Sequence, residues 1–304
     1  MKQELTRRSF AILSLAAATV LPHLPAADTV TEGYVNPHLL VEPDELIGAI
    51  SAMTPSQAEG TATAIVVIDV RKKDAYDAGH ILGARHLDPN AVVAANSPIS
   101  GSLKTIPELE RLLSRLGILA DHRVVLYDNR GGFHAARMFW LLEYLGHQNV
   151  ALLNGGYDAW RAIDGPTTKI RFHHARARFQ AAPSPRRFAS ADYVLKHRSE
   201  PGEKLIDVRP TKMYTDGHIP WAINIPWAQN LGEGNRFLSA EKLRKNFEAK
   251  GIAMDDSVTL HCQVGLASAH SYVALRLLGY PQVRVYHRSW AEWGSDPSLP
   301  KVSS

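Results

Sequence analysis

The chain holds a single cysteine, Cys262, and the residues around it are the first place to look for chemistry. A β-branched run, Val258-Thr259-Leu260-His261, leads into Cys262-Gln263-Val264-Gly265-Leu266-Ala267, and a stretch of helical period follows from Ser268 through Ala269, Tyr272, Val273, Leu275 and Arg276. That pattern predicts a strand, a tight turn and a helix. A strand-to-helix turn gathers unpaired backbone N–H groups at the positive end of a helix. Such a field favours a thiolate over a thiol, and the same N–H groups can hold an anion or a charged sulfur. Gly265 suits a loop that must curl round the sulfur. The local sequence also fits a small buried hydrophobe, the commonest state of a free cysteine. What favours a site is the position of Cys262 at the carboxyl end of a strand in an α/β repeat, where ligands bind.

That repeat is written twice. Ile65-Val66-Val67-Ile68-Asp69-Val70-Arg71, then Gly79-His80-Ile81, returns as Leu205-Ile206-Asp207-Val208-Arg209, then Gly217-His218-Ile219. Val124-Val125-Leu126-Tyr127-Asp128 matches Val258-Thr259-Leu260-His261-Cys262, so Asp128 stands where the second copy has its cysteine. Strand-like runs alternate with helical stretches such as 107–116 and 239–249, which predicts parallel βαβ units with helices on both faces of a sheet. Between the copies, Pro166, Pro183 and Pro185 stand among Arg171, Arg176, Arg178, Arg186 and Arg187 without an acidic residue. This reads as a solvated linker whose charge would also suit anionic substrates.

Composition narrows the classes. The chain has 304 residues, 45% hydrophobic and 21% charged, which suits two globular domains. Thirty-four Lys and Arg against 30 Asp and Glu give +4 with no block of like charge, so nucleic-acid binding has little support. One cysteine excludes an intrachain disulfide framework and multi-cysteine metal sites, and no H-E-x-x-H spacing appears.

The D-V-R and G-H-I motifs, the strand-C-x-x-G-x-A-helix and the closing Ser289-Trp290-Ala291-Glu292-Trp293-Gly294-Ser295-Asp296-Pro297-Ser298-Leu299-Pro300 together resemble the two-domain rhodanese family of thiosulfate and 3-mercaptopyruvate sulfurtransferases. The resemblance implies an α/β fold of two tandem rhodanese-like domains, each a parallel sheet with helices on both faces. The expected division is an inactive domain over 40–166, a linker over 167–187 and a cysteine-bearing domain over 188–300. It implies a catalytic Cys262 that carries sulfur as a persulfide in a loop of Gln263, Val264, Gly265, Leu266, Ala267 and Ser268. A small anionic donor would load it, a thiol or cyanide would unload it, and no metal or organic cofactor would be needed.

Departures leave the donor open. Gln263 and Val264 match neither the basic loop typical of thiosulfate enzymes nor the small-residue C-G-S-G-V-T loop of mercaptopyruvate enzymes. The substrate arginine that many members carry four residues after the D-x-R arginine is Met213 here, so Lys212 and Arg209 become candidate anion contacts. Asp207 and Arg209 read first as a structural pair, because Asp69 and Arg71 recur in the copy without cysteine. His261 should face away from Cys262 by strand alternation. A cysteine phosphatase is disfavoured, since Ser268 stands where its loop needs an arginine. A non-catalytic sulfur carrier or partner-binding module remains a second reading.

Residues 1–27 carry Lys2, Arg7 and Arg8, an apolar run over 10–21 and a small-residue end, a signal-peptide layout too short for a stable membrane anchor. Thr6-Arg7-Arg8-Ser9-Phe10 resembles a twin-arginine signal, with a general secretory signal as the alternative. The twin-arginine reading implies contact with that export machinery and a periplasmic destination.

Overall fold

The structure, a computed structural model, describes residues 33–51 and 65–303. The expected signal at 1–27 lies outside the described residues. Each half forms a five-stranded parallel sheet. The first joins β1 (Leu40–Val41), β2 (Ile65–Asp69), β4 (Arg85–His86), β5 (Arg123–Tyr127) and β6 (Val150–Leu153) in the order β1-β6-β5-β2-β4. The second joins β8 (Phe188–Ala189), β9 (Glu203–Asp207), β10 (Ile223–Asn224), β11 (Ser257–His261) and β12 (Gln282–Tyr286) in the order β10-β9-β11-β12-β8. Read from the opposite edge, the two orders are the same. The central strands are apolar along nearly their whole length, as a sheet covered on both faces requires.

In the first half the helices are α1 (Pro43–Ser51), α2 (Lys73–Ala78), α3 (Ile106–Arg115), α4 (Ala135–Tyr144) and α5 (Gly156–Ala162). In the second they are α6 (Ala191–Lys196), α7 (Thr211–Asp216), α8 (Ala240–Glu248), α9 (Ala267–Leu278) and α10 (Ser289–Trp293). The helical stretches expected at 107–116 and 239–249 are α3 and α8. Pro107 opens α3, the Glu108 carboxylate accepts from the Thr105 N–H at 2.9 Å, and Leu109, Leu112 and Leu113 turn inward.

Residues 167–187 are laid along the first half. Strand β7 (Thr167–Thr168) pairs antiparallel with β3 (His80–Ile81). Farther on, Ala177 N donates to Ser114 O, Ala182 N to Leu145 O and Ser184 N to Tyr144 O, while Phe179 packs into the core. The basic segment is therefore a strap as much as a solvated linker.

Helices α4 and α9 pack against each other and join the halves. At their contact the buried Glu143 carboxylate accepts from Tyr272 Oη and from Arg276 Nη2 at 3.0 Å, with Arg187 Nε at 4.0 Å. A buried carboxylate needs this many donors, because an unpaired one would be strongly destabilising.

Candidate active site

Cys262 follows β11 directly, and α9 begins five residues on. Its side chain is 2% exposed. Gly265 N donates to Sγ at 3.1 Å, and Ser268 Oγ, in the first turn of α9, lies at 3.6 Å. Gly265 has φ +80°, and a Cβ there would fall 2.3 Å from His287 Nδ1, so both the turn and the close approach require glycine. The loop is tied to the segment after β12. Ser289 Oγ accepts from Cys262 N at 3.0 Å, donates to Tyr286 O at 2.8 Å and lies 3.9 Å from Sγ. Trp290 N and Ala291 N each donate at 3.0 Å, to Cys262 O and Gln263 O. Gln263, Val264 and Leu266 are partly exposed, whereas Ala267 and Ser268 are buried.

Beneath the loop, Arg209 grips Asp207 through Nε at 3.0 Å and Nη2 at 2.5 Å. Nη2 also donates to Gly217 O at 2.7 Å. The Trp290 ring covers the guanidinium at 4.6 Å. Burial would raise the Asp207 carboxyl, but His261 and Arg209 outweigh it and hold it below its ordinary range. His261 faces this pair, with Nε2 3.6 Å from Asp207 Oδ2, as strand alternation requires. Asp69 and Arg71 repeat the arrangement, with Nη2 donating to Gly79 O at 2.7 Å and Tyr157 as the covering ring. Lys212 points outward from α7 and pairs with Asp216 at 3.1 Å, and Met213 beside it is exposed.

In the first half, Asp128 occupies the place of Cys262. Its Oδ1 accepts from Arg130 N at 2.7 Å and Gly132 N at 2.9 Å, and its Oδ2 from His134 N at 2.6 Å and Ala135 N at 3.0 Å. Each half also lends a short hairpin to the other. The first half's hairpin, bridged at Val93 and Leu103, brings Gly101 against Val264 of the cysteine loop. The second half's, bridged at Leu231 and Phe237, brings Leu231 and Asn235 against Gly131.

Around Gly101 three groups converge. Arg137 Nη2 donates to Gly101 O at 2.6 Å, His287 Nε2 meets the same oxygen at 2.7 Å, and Trp140 stacks on the His287 ring. Burial, followed by the Arg137 charge, pushes His287 down to about 3, so its ring is neutral and Nε2 carries the proton given to Gly101. Burial pushes Arg137 down to about 10, a shift that a thiolate at Cys262 would oppose.

Residues 55–163 and 190–296 each match the model of the rhodanese-like domain. The chain belongs to the rhodanese family. It is 31% identical over 270 residues to the thiosulfate sulfurtransferase of Azotobacter vinelandii, covering 86% of this chain and 96% of that one. The sulfur carrier protein TtuD of Thermus thermophilus is 35% identical over 246 residues, covering 74% and 86%. A protein of Pseudomonas aeruginosa named probable 3-mercaptopyruvate sulfurtransferase is 34% identical over 241 residues, covering 74% and 84%.

Within this rhodanese pair, the loop residues named from sequence, 262–268, do come together at the end of β11. Arg209 commits Nε and Nη2 to Asp207 and Gly217 O, and Lys212 is engaged with Asp216. Sequence reading missed Arg137, Gly101 and His287 as neighbours of the site. Ser289 figures there only as part of a motif, although a hydroxyl in the turn that follows β12 was the available signal.

Proposed function

We propose that this rhodanese-type sulfurtransferase moves a sulfane sulfur from thiosulfate or 3-mercaptopyruvate to cyanide or a thiol through a persulfide on Cys262. The observation that carries this reading is the placing of Sγ at the carboxyl end of β11, with Gly265 N at 3.1 Å and Ser268 Oγ at 3.6 Å. Donors already aimed at the sulfur need no reorganisation when it becomes charged.

In the first half-reaction the Cys262 thiolate attacks the outer sulfur of thiosulfate. A sulfur–sulfur bond forms, the donor's own breaks, and its electron pair leaves with sulfite. With 3-mercaptopyruvate the carbon–sulfur bond breaks instead, the carbon takes the thiol proton, and pyruvate leaves. In the second half-reaction cyanide or a thiolate takes the outer sulfur and the electron pair returns to Cys262. Two half-reactions with a covalent intermediate predict ping-pong kinetics. Gln263 and Val264, partly exposed beside the sulfur, are the positions proposed to set donor preference.

The likeness to a sulfur carrier protein and the burial of Cys262 favour a second reading, a carrier that releases sulfur only to a dedicated protein acceptor. Intact-protein mass spectrometry separates the two. The reduced protein is incubated with each donor and then with cyanide. Gain of one sulfur that cyanide removes, absent in Cys262→Ser, is the expected result. Gain without removal by small acceptors favours the carrier, and no gain with either donor overturns the transfer reading. The arginine pair at Arg7 and Arg8 supports the further proposal of twin-arginine export to the periplasm. It is checked by whether Arg7→Lys with Arg8→Lys leaves the uncleaved chain in the cytoplasm.

A further inference from the structure

We propose that Arg137, supplied by the domain that lacks a cysteine, is the contact for the anionic donor at the Cys262 site. The inference rests on the sulfur-transfer reading and names the residue that recognises the donor. Both donors are anions, and a thiolate repels them. Close approach requires a cation near the sulfur.

The two second-domain cations singled out from the sequence are engaged elsewhere. Arg209 spends Nε and Nη2 on Asp207 and Gly217 O under the Trp290 ring. Lys212 is turned to Asp216 on an exposed helix face, and the position four after Arg209 is Met213. Arg137 differs on each count. It is 3% exposed, yet among the described residues no carboxylate pairs with it. Nη2 has its bond to Gly101 O and lies 3.4 Å from His287 Nε2, while Nε has no partner among the described residues.

A buried cation with no counter-ion and an idle N–H is destabilising unless something else supplies the negative charge. The neutral His287 ring does not. A thiolate at Cys262 would supply charge of the missing sign. Its route to the sulfur is short, because His287 bears on Gly265, whose N–H donates to Sγ, and Gly101 bears on Val264. Arg137 also lines a small cavity within its own domain, together with Asp88, Val92, His134 and Met138. The repeat supplies a control. Counted from Asp128 and Cys262, the position of α9 that corresponds to Arg137 is Ser271, which accepts from Asn230 Nδ2 at 3.0 Å. It belongs to the side of the molecule where Asp128 already fills the loop with a carboxylate.

The test compares alkylation of Cys262 in the full chain by anionic iodoacetate and by neutral iodoacetamide, for the wild type, Arg137→Met and Arg137→Lys. The ratio of the two rates cancels any change in thiolate fraction. Arg137→Met should lower the iodoacetate-to-iodoacetamide ratio about tenfold or more, the scale of one lost charge-assisted hydrogen bond. Its KM for thiosulfate should rise in parallel. Arg137→Lys should recover part of the ratio, since it keeps the charge but not the planar fork. If Arg137→Met does not fold, a several-fold lower ratio in Arg137→Lys carries the same conclusion. An unchanged ratio in folded variants, or an equal fall with both reagents, overturns the proposal. A wild type that prefers iodoacetate but gains no sulfur from either donor would sink the transfer reading and leave the anion contact standing.

Discussion

The Asp128 and Cys262 loops are the same structure put to two uses. Each follows the third strand along its sheet, turns at a left-handed glycine, Gly131 at φ +64° or Gly265 at φ +80°, and enters a helix that packs on the opposite domain. Each is covered by a hairpin from the other half. The difference is what fills the ring of N–H groups. In the first domain four of them close on a carboxylate that is part of the chain. In the second the occupant is a sulfur with one N–H and two hydroxyls within 4 Å, and the cation stands across the interface on α4. The strand-turn-helix frame is an anion holder in both copies. An anion built into the chain makes it a structural joint, and a sulfur that can gain and lose an atom makes it a site.

The comparison breaks most sharply if the frame alone is enough. In the Cys262→Ser background, Asp128→Cys places a thiol in the matching loop, but Ser271 replaces the guanidinium opposite it. The expected result is no sulfur uptake from thiosulfate by intact mass, that is, background. Measurable uptake would mean that the loop, not its neighbours, confers the chemistry.

The next effect is on stability. Asp128→Ala removes the acceptor of four N–H groups in a buried loop. With roughly 1–3 kcal/mol for each unsatisfied group and partial rescue by water, the expected loss is about 3 kcal/mol or more in urea unfolding. Cys262→Ala, which leaves a single N–H without its sulfur, should cost about 1–2 kcal/mol. Equal losses would mean that the Asp128 loop is not the tighter joint.

Most of the frame was legible in the sequence because it is local and repeated. The D-V-R pairs, the cysteine turn and the two sheets follow from short periodic patterns, and alternation along β11 placed His261 on Asp207 rather than on the sulfur. What stayed hidden crosses long separations. Nothing in the hairpin sequence signals that Gly101 will cover Val264, and Arg137 sits in a mostly apolar helix whose only other charge, Glu143, is six residues on. Lys212 was considered because it adjoins the missing arginine at Met213, but α7 turns it outward to Asp216. The Arg-rich segment reads as solvated from composition, and Arg171, Arg176, Arg178 and Arg186 are indeed exposed, but Arg187 turns in towards Glu143. The segment's backbone N–H groups, which composition cannot show, bind it to the first domain.

The smallest effect is a pH dependence shared by the two covers. His287 Nε2 bonds Gly101 O at 2.7 Å, and His270 Nε2 bonds Gly131 O at 2.9 Å, so a histidine of the second domain holds a first-domain loop at each joint. Burial pushes His270 down to about 4 and, with Arg137, His287 down to about 3. Unfolded histidines titrate near pH 6.5. Below that value the unfolded chain binds protons that the folded chain does not, so stability is fully present above about pH 6.5 and falls as pH is lowered towards 4 and then 3. Each histidine contributes a slope of at most about 1.4 kcal/mol per pH unit. Urea midpoints between pH 7 and 5 should therefore decline, in a window above the range of ordinary carboxylates. His270→Asn should flatten the decline by about one group's share and leave the His287 share in place. A slope that is unchanged in His270→Asn would mean that its ring is already charged in the folded protein, and that the two joints are not held alike.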